Sequence, residues 1–453
     1  MRAKAILILQ SLLVTFIVSF MSLKSFGQQT VTVNKNKHYS YSSKNNGVHK
    51  IQFNGKGGDF QVEFEGDITL SDDDKDITAI SRGGFIEIKK SSFGKKRKIV
   101  IEAESGTLKK RYYVGWNEKP FIPDGKEWLG EVLPEIVRNT TIAAESRVNR
   151  FYSRGGAQAV LNEIKRLGGD YVTAKYFSYL LEKDLSNSEL TKVIETAGKQ
   201  VDSDYYLAQI LQSNQRAFLA SPQTVSAYIN ATKNVGSDYY MAQVLTKAIK
   251  NDDISDDQLG ELLVISKDIG SDYYMSQLLI KILNNRKLNK ANMNKIMQLS
   301  NEIGSDYYKS QVLKKALDKK DLSKENYKAF ISSIDDIDSD YYASGVIADL
   351  LGKDLDNAAL NRVLKLVSEN VASDYYASSV YKKIAAKKLN EEQLIIILNS
   401  LDNIGSSNYL SSALVAFAPK VKRSSQRVKD AYMKRAKSIN SDTYYGRAVK
   451  AMY

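Results

Sequence analysis

An aspartate stands at positions 170, 204, 238, 272, 306, 340 and 374, each 34 residues after the last, and a tyrosine follows it every time. Recurrent carboxylates could in principle act as paired general acid and base. Copies one repeat apart are too distant to share a substrate proton, and another role suits them better. Ser precedes the Asp in most copies, ahead of an apolar-periodic run, which is the pattern of a helix N-terminus. There a carboxylate also meets the positive end of the helix dipole. No acid–base pair is expected from this series.

Other chemistry is sparse. His38 and His49 are the only histidines and Cys is absent, which leaves little room for His-paired nucleophiles or His-rich metal sites. Neither a phosphate-binding Gly-rich loop nor a dinucleotide fingerprint is spelled. The run SDDDKD at 71–76 alternates Asp72, Asp74 and Asp76 like the start of a calcium loop. Ile77 takes the place of the usual Gly, however, and no Glu follows where the bidentate ligand belongs. It reads as an acidic hairpin turn. No catalytic residue, metal or cofactor is expected, and the chain is read as a non-enzyme.

The elements that carry the aspartates follow from the repeat columns. Ser203, Ser237, Ser271, Ser305, Ser339 and Ser373 precede Asp204, Asp238, Asp272, Asp306, Asp340 and Asp374. These pairs are predicted to cap helices, the Ser oxygen accepting from the free N–H groups of the first turn. Gly236, Gly270, Gly304 and Gly405 stand where a preceding helix would close in the left-handed conformation. Four residues after the marker the side chain is small in every copy, among them Ala242, Ser276 and Ser310, so two helix backbones should approach there. Apolar columns follow at plus six and plus seven, as in Val244 with Leu245 and Leu278 with Leu279. Others precede the marker at minus three (Ile269, Ile303) and minus ten (Leu262, Ile296). Each repeat is thus a helix, a short polar loop and a second helix, and a period of this length means a solenoid. The eighth copy places Ser407 at the marker and the ninth returns to Asp442.

The tyrosines are the candidates for binding. Of 28 Tyr, fifteen occupy the two positions after the marker. On a helical wheel they fall on opposite shoulders of the apolar stripe, where a ring covers apolar surface and its hydroxyl reaches water. Inter-repeat packing accounts for much of this. Replacements in the second column are aliphatic (Val172), while those in the first are polar (Asn408, Thr443), as a wetter position allows. The first column is therefore the one expected to meet a ligand: Tyr205, Tyr239, Tyr273, Tyr307, Tyr341 and Tyr375.

Over residues 142–453 the 34-residue helix pair resembles the tetratricopeptide and HEAT-like α-solenoids in length and layout. The tetratricopeptide signature of Trp, Gly, Tyr, Ala and Pro is not spelled. The stretches ITAISRGGFIEIKK and KEWLGEVLPEIV, with the SDYY repeats, look like uncharacterised exported domains of envelope proteins, some attached to membrane sensor peptidases. No zinc-peptidase motif is present here. What the resemblance implies is a sensing or interaction role outside the cytoplasm, with no catalytic residue to carry over.

Ahead of the repeats, residues 28–117 alternate with period two, as in FQVEFEGDITL and RKIVIEAE, broken by NGKGG, SRGG and ESG turns. This predicts an all-β domain of six to eight strands, a sandwich or a short stacked-turn solid. The basic runs KKSSFGKKRK (89–98) and KKRYY (109–113) are read as solvated sheet edges that discourage edge-to-edge pairing. Residues 118–141 read as a linker and capping helix, which Pro134 should kink or divide. Residues 1–27 read as a Sec-type signal peptide: Arg2 and Lys4, the apolar run Ala5–Phe20, then small residues before Gln28. No later run is long and apolar enough to span a bilayer.

The fold class expected is thus an α+β multidomain chain, an N-terminal all-β domain followed by an all-α superhelical solenoid of about nine repeats. Cleavage would remove three cations and no acid from a net charge of +13, leaving a basic exported protein. The signal points to the periplasm or surface of a bacterium. The expected partner is an envelope protein or peptide, with an envelope polysaccharide as the alternative and no nucleic acid.

Overall fold

The computed structural model of the chain describes residues 39–43, 47–250, 254–319, 324–353 and 355–453. The signal-peptide segment 1–27 and His38 lie outside the described residues. The chain divides into two compact units, one running to Glu189 with Gln200–Tyr206 and the other comprising Leu190–Lys199 and Leu207–Tyr453. Among the described residues no helix is long and apolar enough to cross a membrane.

In the first unit, the strands β1 (Tyr39–Ser43), β2 (His49–Gly55), β3 (Gly58–Glu65), β6 (Phe85–Ser92), β7 (Lys95–Glu104), β8 (Thr107–Val114) and β9 (Asn117–Lys119) form one antiparallel sheet in that order. The short pair β4 (Ile68–Leu70) and β5 (Ile77–Ile80) makes a separate hairpin. Period-two alternation puts Ile51, Phe53, Phe60, Val62, Ile86, Ile88, Ile99 and Ile101 into one core. The register aligns them across strands: Phe53 opposite Phe60, Val62 opposite Ile88, and Ile88 opposite Ile99.

Among the described residues a sandwich does not form. The core is completed by the β4–β5 hairpin and by helix α1 (Lys126–Asn139), which buries Trp128, Leu129, Val132, Leu133, Ile136 and Val137. Alternation within a strand reports that one face is covered, not by what, so the covering helix was invisible in it. Pro134 does not divide α1, which continues unbroken to Asn139. The basic runs are also placed differently from the expectation. They lie on the central strands β6, β7 and β8, not at the sheet edges. There Glu87 pairs with Lys98 at 3.7 Å and Glu102 with Arg111 at 2.5 Å, so cross-strand acids offset part of the charge.

The acidic turn between β4 and β5 has a structural function that its sequence did not announce. Asp74 is held at φ +59° and is buried. Its Oδ2 accepts from Nη2 and Nε of Arg147 at 2.8 and 3.1 Å, and Arg150 donates to Oδ1. Arg154 pairs with Asp72 at 2.7 Å. These three arginines lie along helix α2 (Ala144–Ile164) at spacings of three and four, before the helix breaks at Gly155–Gly156. Arg147 has no exposed surface. Its guanidinium also donates to Glu163 Oε1 at 2.7 Å and to the hydroxyl of Tyr176 on helix α3 (Asp170–Leu181). One arginine therefore joins the hairpin turn, α2 and α3 within this unit.

The second unit is built of alternating helices. Marker helices include Asp238–Ile249, Asp272–Asn285, Asp306–Leu317, Asp340–Leu350, Asp374–Ala385, Ser407–Val421 and Asp442–Met452. Between them run connecting helices such as Asp256–Ile265, Lys290–Asn301, Asn357–Asn370 and Glu391–Ser400. Each marker helix packs on the next marker helix and each connecting helix on the next of its kind, giving two layers. The predicted columns form the core between them: Ala242, Val244, Leu245, Ala248 and Ile249 in one repeat, with Leu262 and Ile269 from the following segment, are all buried. The antiparallel sheet followed by repeated helices is the expected α+β arrangement.

One core position is anomalous. Three residues after the marker stand Met241, Met275, Ala343 and Ala377, but also Lys309, which is 3% exposed. Its ammonium donates to the Asp336 carbonyl at 3.1 Å while its stem fills the apolar site. Burial of a charge with a single neutral acceptor is expensive. Lys309→Met is expected to raise the thermal midpoint of this unit by about 2–4 °C, from about 1 kcal/mol gained. A lower midpoint by calorimetry would show that the ammonium–carbonyl bond is a net contributor.

Candidate ligand-binding face

The marker Ser residues occupy the N-cap position in backbone conformation, but their side chains mostly do not cap. Of Ser237, Ser271, Ser305, Ser339 and Ser373, Ser271 alone accepts from the first turn, at 3.5 Å from Tyr274 N. These residues sit at ψ between 114° and 119°, whereas the side-chain caps Ser255, Asn289, Asp356 and Asn390 of the connecting helices sit at ψ between 166° and 170°. The Ser-x-x-Gln and Asn-x-x-Gln capping boxes at Ser255 and Asn390 were readable in the sequence.

The marker aspartates reach across repeats. Asp272 accepts from Gly304 N at 3.0 Å and Ser305 N at 2.8 Å. Asp340 accepts from Ala372 N and Ser373 N at 2.9 and 2.8 Å, and Asp374 from Gly405 N and Ser406 N at 3.1 and 2.7 Å. Asp238 and Asp306 each take one such bond, from Gly270 N and Ser339 N. In the first unit Asp170 does the same to Asp202 N and Ser203 N, and burial raises its pKa despite these donors. Each carboxylate thus satisfies the turn that opens the following repeat. Gly270, Gly304 and Gly405 are not left-handed, contrary to expectation, and a Cβ on them would meet only ordinary contacts. Ala372 fills the equivalent place, since the N–H is what matters there.

The small column bonds in two ways: Ser276, Ser310 and Ser344 donate to the carbonyls of Tyr273, Tyr307 and Tyr341 in their own helices. Ser378 and Ser411 are buried and donate to the carbonyls of Tyr409 and Tyr444 in the next repeat. The tyrosines, by contrast, are not independent shoulders. The first-column ring of one repeat meets the second-column ring of the next: Tyr239 with Tyr274, Tyr273 with Tyr308, Tyr307 with Tyr342, Tyr341 with Tyr376, and Tyr375 with Tyr409, at 5.6–5.9 Å. Within a repeat the two rings touch edge to face at 5.0 Å, as in Tyr307 and Tyr308. The result is an unbroken ladder of rings from Tyr240 to Tyr409, with the quadrupole geometry that favours such contacts.

Within the ladder the two columns differ in wetness. Tyr273 and Tyr307 are 48% exposed, Tyr341 61% and Tyr375 56%, while Tyr274, Tyr308, Tyr342 and Tyr376 are half-buried. Burial, and then the neighbouring Tyr239 and Tyr273, raise the pKa of Tyr274, so its hydroxyl remains a donor. Tyr205 lies in the first unit, 38% exposed, with its ring 5.0 Å from that of Tyr206. Burial followed by the proximity of Tyr205 pushes Tyr206 up to about 12.

Two further columns share this face and were not singled out in the sequence. Five residues after the marker stand Gln243, Gln277 and Gln311, and nine after it Lys247, Lys281, Lys315 and Lys383. Spacings of four place them in line with the first tyrosine column along the same side of each helix. A cleft of about 330 Å³ is lined by Tyr239, Gln243, Lys247, Tyr273, Gln277 and Lys281. A larger one, about 810 Å³, gathers Lys314, Lys315, Lys353, Lys383 and Lys387 against Asp318 and Asp349. The recurrence at 34-residue intervals was the available signal, hidden because polar positions do not stand out in hydrophobic periodicity.

Among the described residues no group of three acidic, His or Cys side chains is placed to hold a metal ion. No protein-family model matches this chain, and no curated protein does. Solved structures give weak likenesses. The Chs5-Bch1 exomer cargo adaptor complex is 10% identical, with 81% of this chain and 74% of that one covered and a TM-score of 0.20. A computationally designed self-assembling cyclic homooligomer is 13% identical, covering 62% of this chain and 93% of its own, with a TM-score of 0.12. At these scores neither bears on function. What the structure shows is the two-layered helix-pair repeat itself, and no family match supports the tetratricopeptide or HEAT-like resemblance.

Proposed function

We propose that this chain is a non-enzymatic interaction protein, exported to a bacterial envelope, that holds an extended acidic segment of a partner protein along the marker-helix face. What supports the reading is one observation: Tyr, Gln and Lys recur in register on that face, and its larger cleft has five lysines against two aspartates. A ligand that advances with the repeats meets the same groups at each step, which suits an extended chain better than a compact one. Exposed rings cover its apolar parts, amides bond its backbone, and ammonium groups select negative charge.

Cross-linking the tagged protein in its native envelope tests this. Wild type is expected to recover one specific partner, and Lys281→Glu/Lys315→Glu/Lys383→Glu to lose it at least ten-fold with an unchanged thermal midpoint. Recovery undiminished in the triple variant would remove the lysine face from the interaction. The same lysines would serve an anionic polysaccharide. Binding of purified envelope polysaccharide by wild type, with no protein partner recovered, would favour that second reading.

A further inference from the structure

Among the described residues of the first unit, the most exposed large apolar side chains are Phe93, fully exposed, and Trp116, at 97%. Both sit on hairpin tips. Phe93 and Gly94 form the turn between β6 and β7, where Ser92 pairs with Lys95, and Gly115 and Trp116 form the turn between β8 and β9, where Val114 pairs with Asn117. The register puts the two tips side by side, since Arg97 lies opposite Val114 and Gly115 N donates to Lys96 O at 2.8 Å. The β2–β3 turn with Lys56 opens at the same end, because Asp59 pairs with Ser91.

Local physics does not ask for these rings. Phe93 has φ +45° and Gly94 φ +77°, the pair of left-handed conformations that a two-residue hairpin turn fills best with Asn-Gly or Asp-Gly. A bulky apolar residue there is disfavoured, and this one contributes no burial in return. Around the two rings stand the exposed cations Lys56, Lys95, Lys96 and Arg97, with Asp59 and Glu118 as the exposed acids. Aromatic tips ringed by cations match a surface that is negative outside and apolar just beneath.

We propose that this end of the sheet docks on an anionic lipid bilayer, Phe93 and Trp116 entering the headgroup boundary and Lys56, Lys95, Lys96 and Arg97 meeting the lipid phosphates. Trp is suited to that boundary because its ring is apolar and its N–H still finds an acceptor. Lys and Arg near the surface each add attraction to anionic headgroups, which falls off within a Debye length. The contact requires no concave site, and two adjacent convex tips enter a fluid interface without one.

The test uses the full chain with vesicles of phosphatidylcholine, with and without about 30 mol% phosphatidylglycerol. Trp128 is 4% exposed in the core, so a change of emission on binding reports Trp116. Wild type is expected to sediment with anionic vesicles beyond the tip variants and shift its emission to the blue, and to lose that excess and the shift in about 0.5 M salt or on neutral vesicles. Phe93→Asn with Trp116→Ser is expected to lower partitioning at least ten-fold, as is Lys95→Glu/Lys96→Glu/Arg97→Glu, each with an unchanged thermal midpoint. Because the run Ala5–Phe20 can itself meet lipid, the difference between wild type and variant is decisive. Equal partitioning by the tip variants, no shift from Trp116, or an equal difference between wild type and tip variant on neutral and anionic vesicles would overturn the proposal. So would protection of Trp116 by a captured protein without vesicle binding.

Discussion

Arg147→Met is expected to destabilise the first unit by about 3–5 kcal/mol, the usual result of breaking a buried ion pair from one side. The substitution keeps the volume of the stem but removes the donor shared by two buried carboxylates, leaving Asp74 to Arg150 and Glu163 to Arg138. Asp74 and Glu163 are both buried and each accepts from the Arg147 guanidinium at 2.7–3.1 Å. Thermal unfolding of wild type and variant measures the loss. A change below about 1 kcal/mol would mean that Arg150 and Arg138 compensate on their own. The triple variant Arg147→Met/Asp74→Asn/Glu163→Gln should recover only part of the loss, because it neutralises the two buried carboxylates but takes away the partners of Arg150 and Arg138.

The same network sets a pH dependence. Burial raises the pKa of Asp74, but hydrogen bonds and charge from Arg147 and then Arg150 outweigh it, and the net shift is downward. A carboxyl more acidic in the folded than in the unfolded chain contributes stability that is full above its unfolded pKa. That contribution is lost as the pH falls through the folded value. Acid unfolding of the first unit should therefore be shallower in Asp74→Asn than in wild type. Burial pushes Tyr176 up to about 12 against the charge of Arg147, so its hydroxyl stays protonated through neutral pH.

The second large effect is expected at the inter-repeat carboxylates. Asp272→Ala removes the acceptors of Gly304 N and Ser305 N, two bonds to a charged group at about 1.5–3 kcal/mol each. Asp272 is half-exposed, so water replaces part of this and a total of about 2–3 kcal/mol is expected. Asp272→Asn keeps one oxygen acceptor and should lose about half as much. Repeats in a solenoid are stabilised through their nearest neighbours. Alanine at Asp272, Asp306 and Asp340 together should accordingly split or broaden the unfolding transition of the second unit. Hydrogen exchange at Gly304 and Ser305 locates the effect, and unchanged protection there in Asp272→Ala would refute the cross-repeat role.

Much of the architecture was legible because it is periodic. A marker that returns every 34 residues, with bulky and small columns at constant offsets, specifies two helices and their buried faces without knowledge of anything distant. The β region was legible for the same reason, since alternation marks the covered face of each strand. The choice of the first tyrosine column as the wetter one rested on Asn408 and Thr443; Tyr205, Tyr273, Tyr307, Tyr341 and Tyr375 are exposed, but Tyr239 is half-buried like the second column. Its meeting with the next repeat's second column was not legible, because contact between rings depends on how far successive helices are displaced.

The sequence by itself determined which residues are apolar, how often they return and hence which secondary structures repeat. It also carried the capping boxes of the connecting helices and the absence of Cys. Only the tertiary structure decided where the polar groups find partners. Asp272 looked like a residue serving its own helix and instead serves the following repeat. Asp74 looked like a solvated turn residue and instead receives Arg147, 73 residues away. The physical reason is common to both. Hydrophobic burial is non-directional and follows local pattern, whereas a carboxylate bonds whichever donor the packed chain brings within about 3 Å, and sequence spacing does not encode that distance.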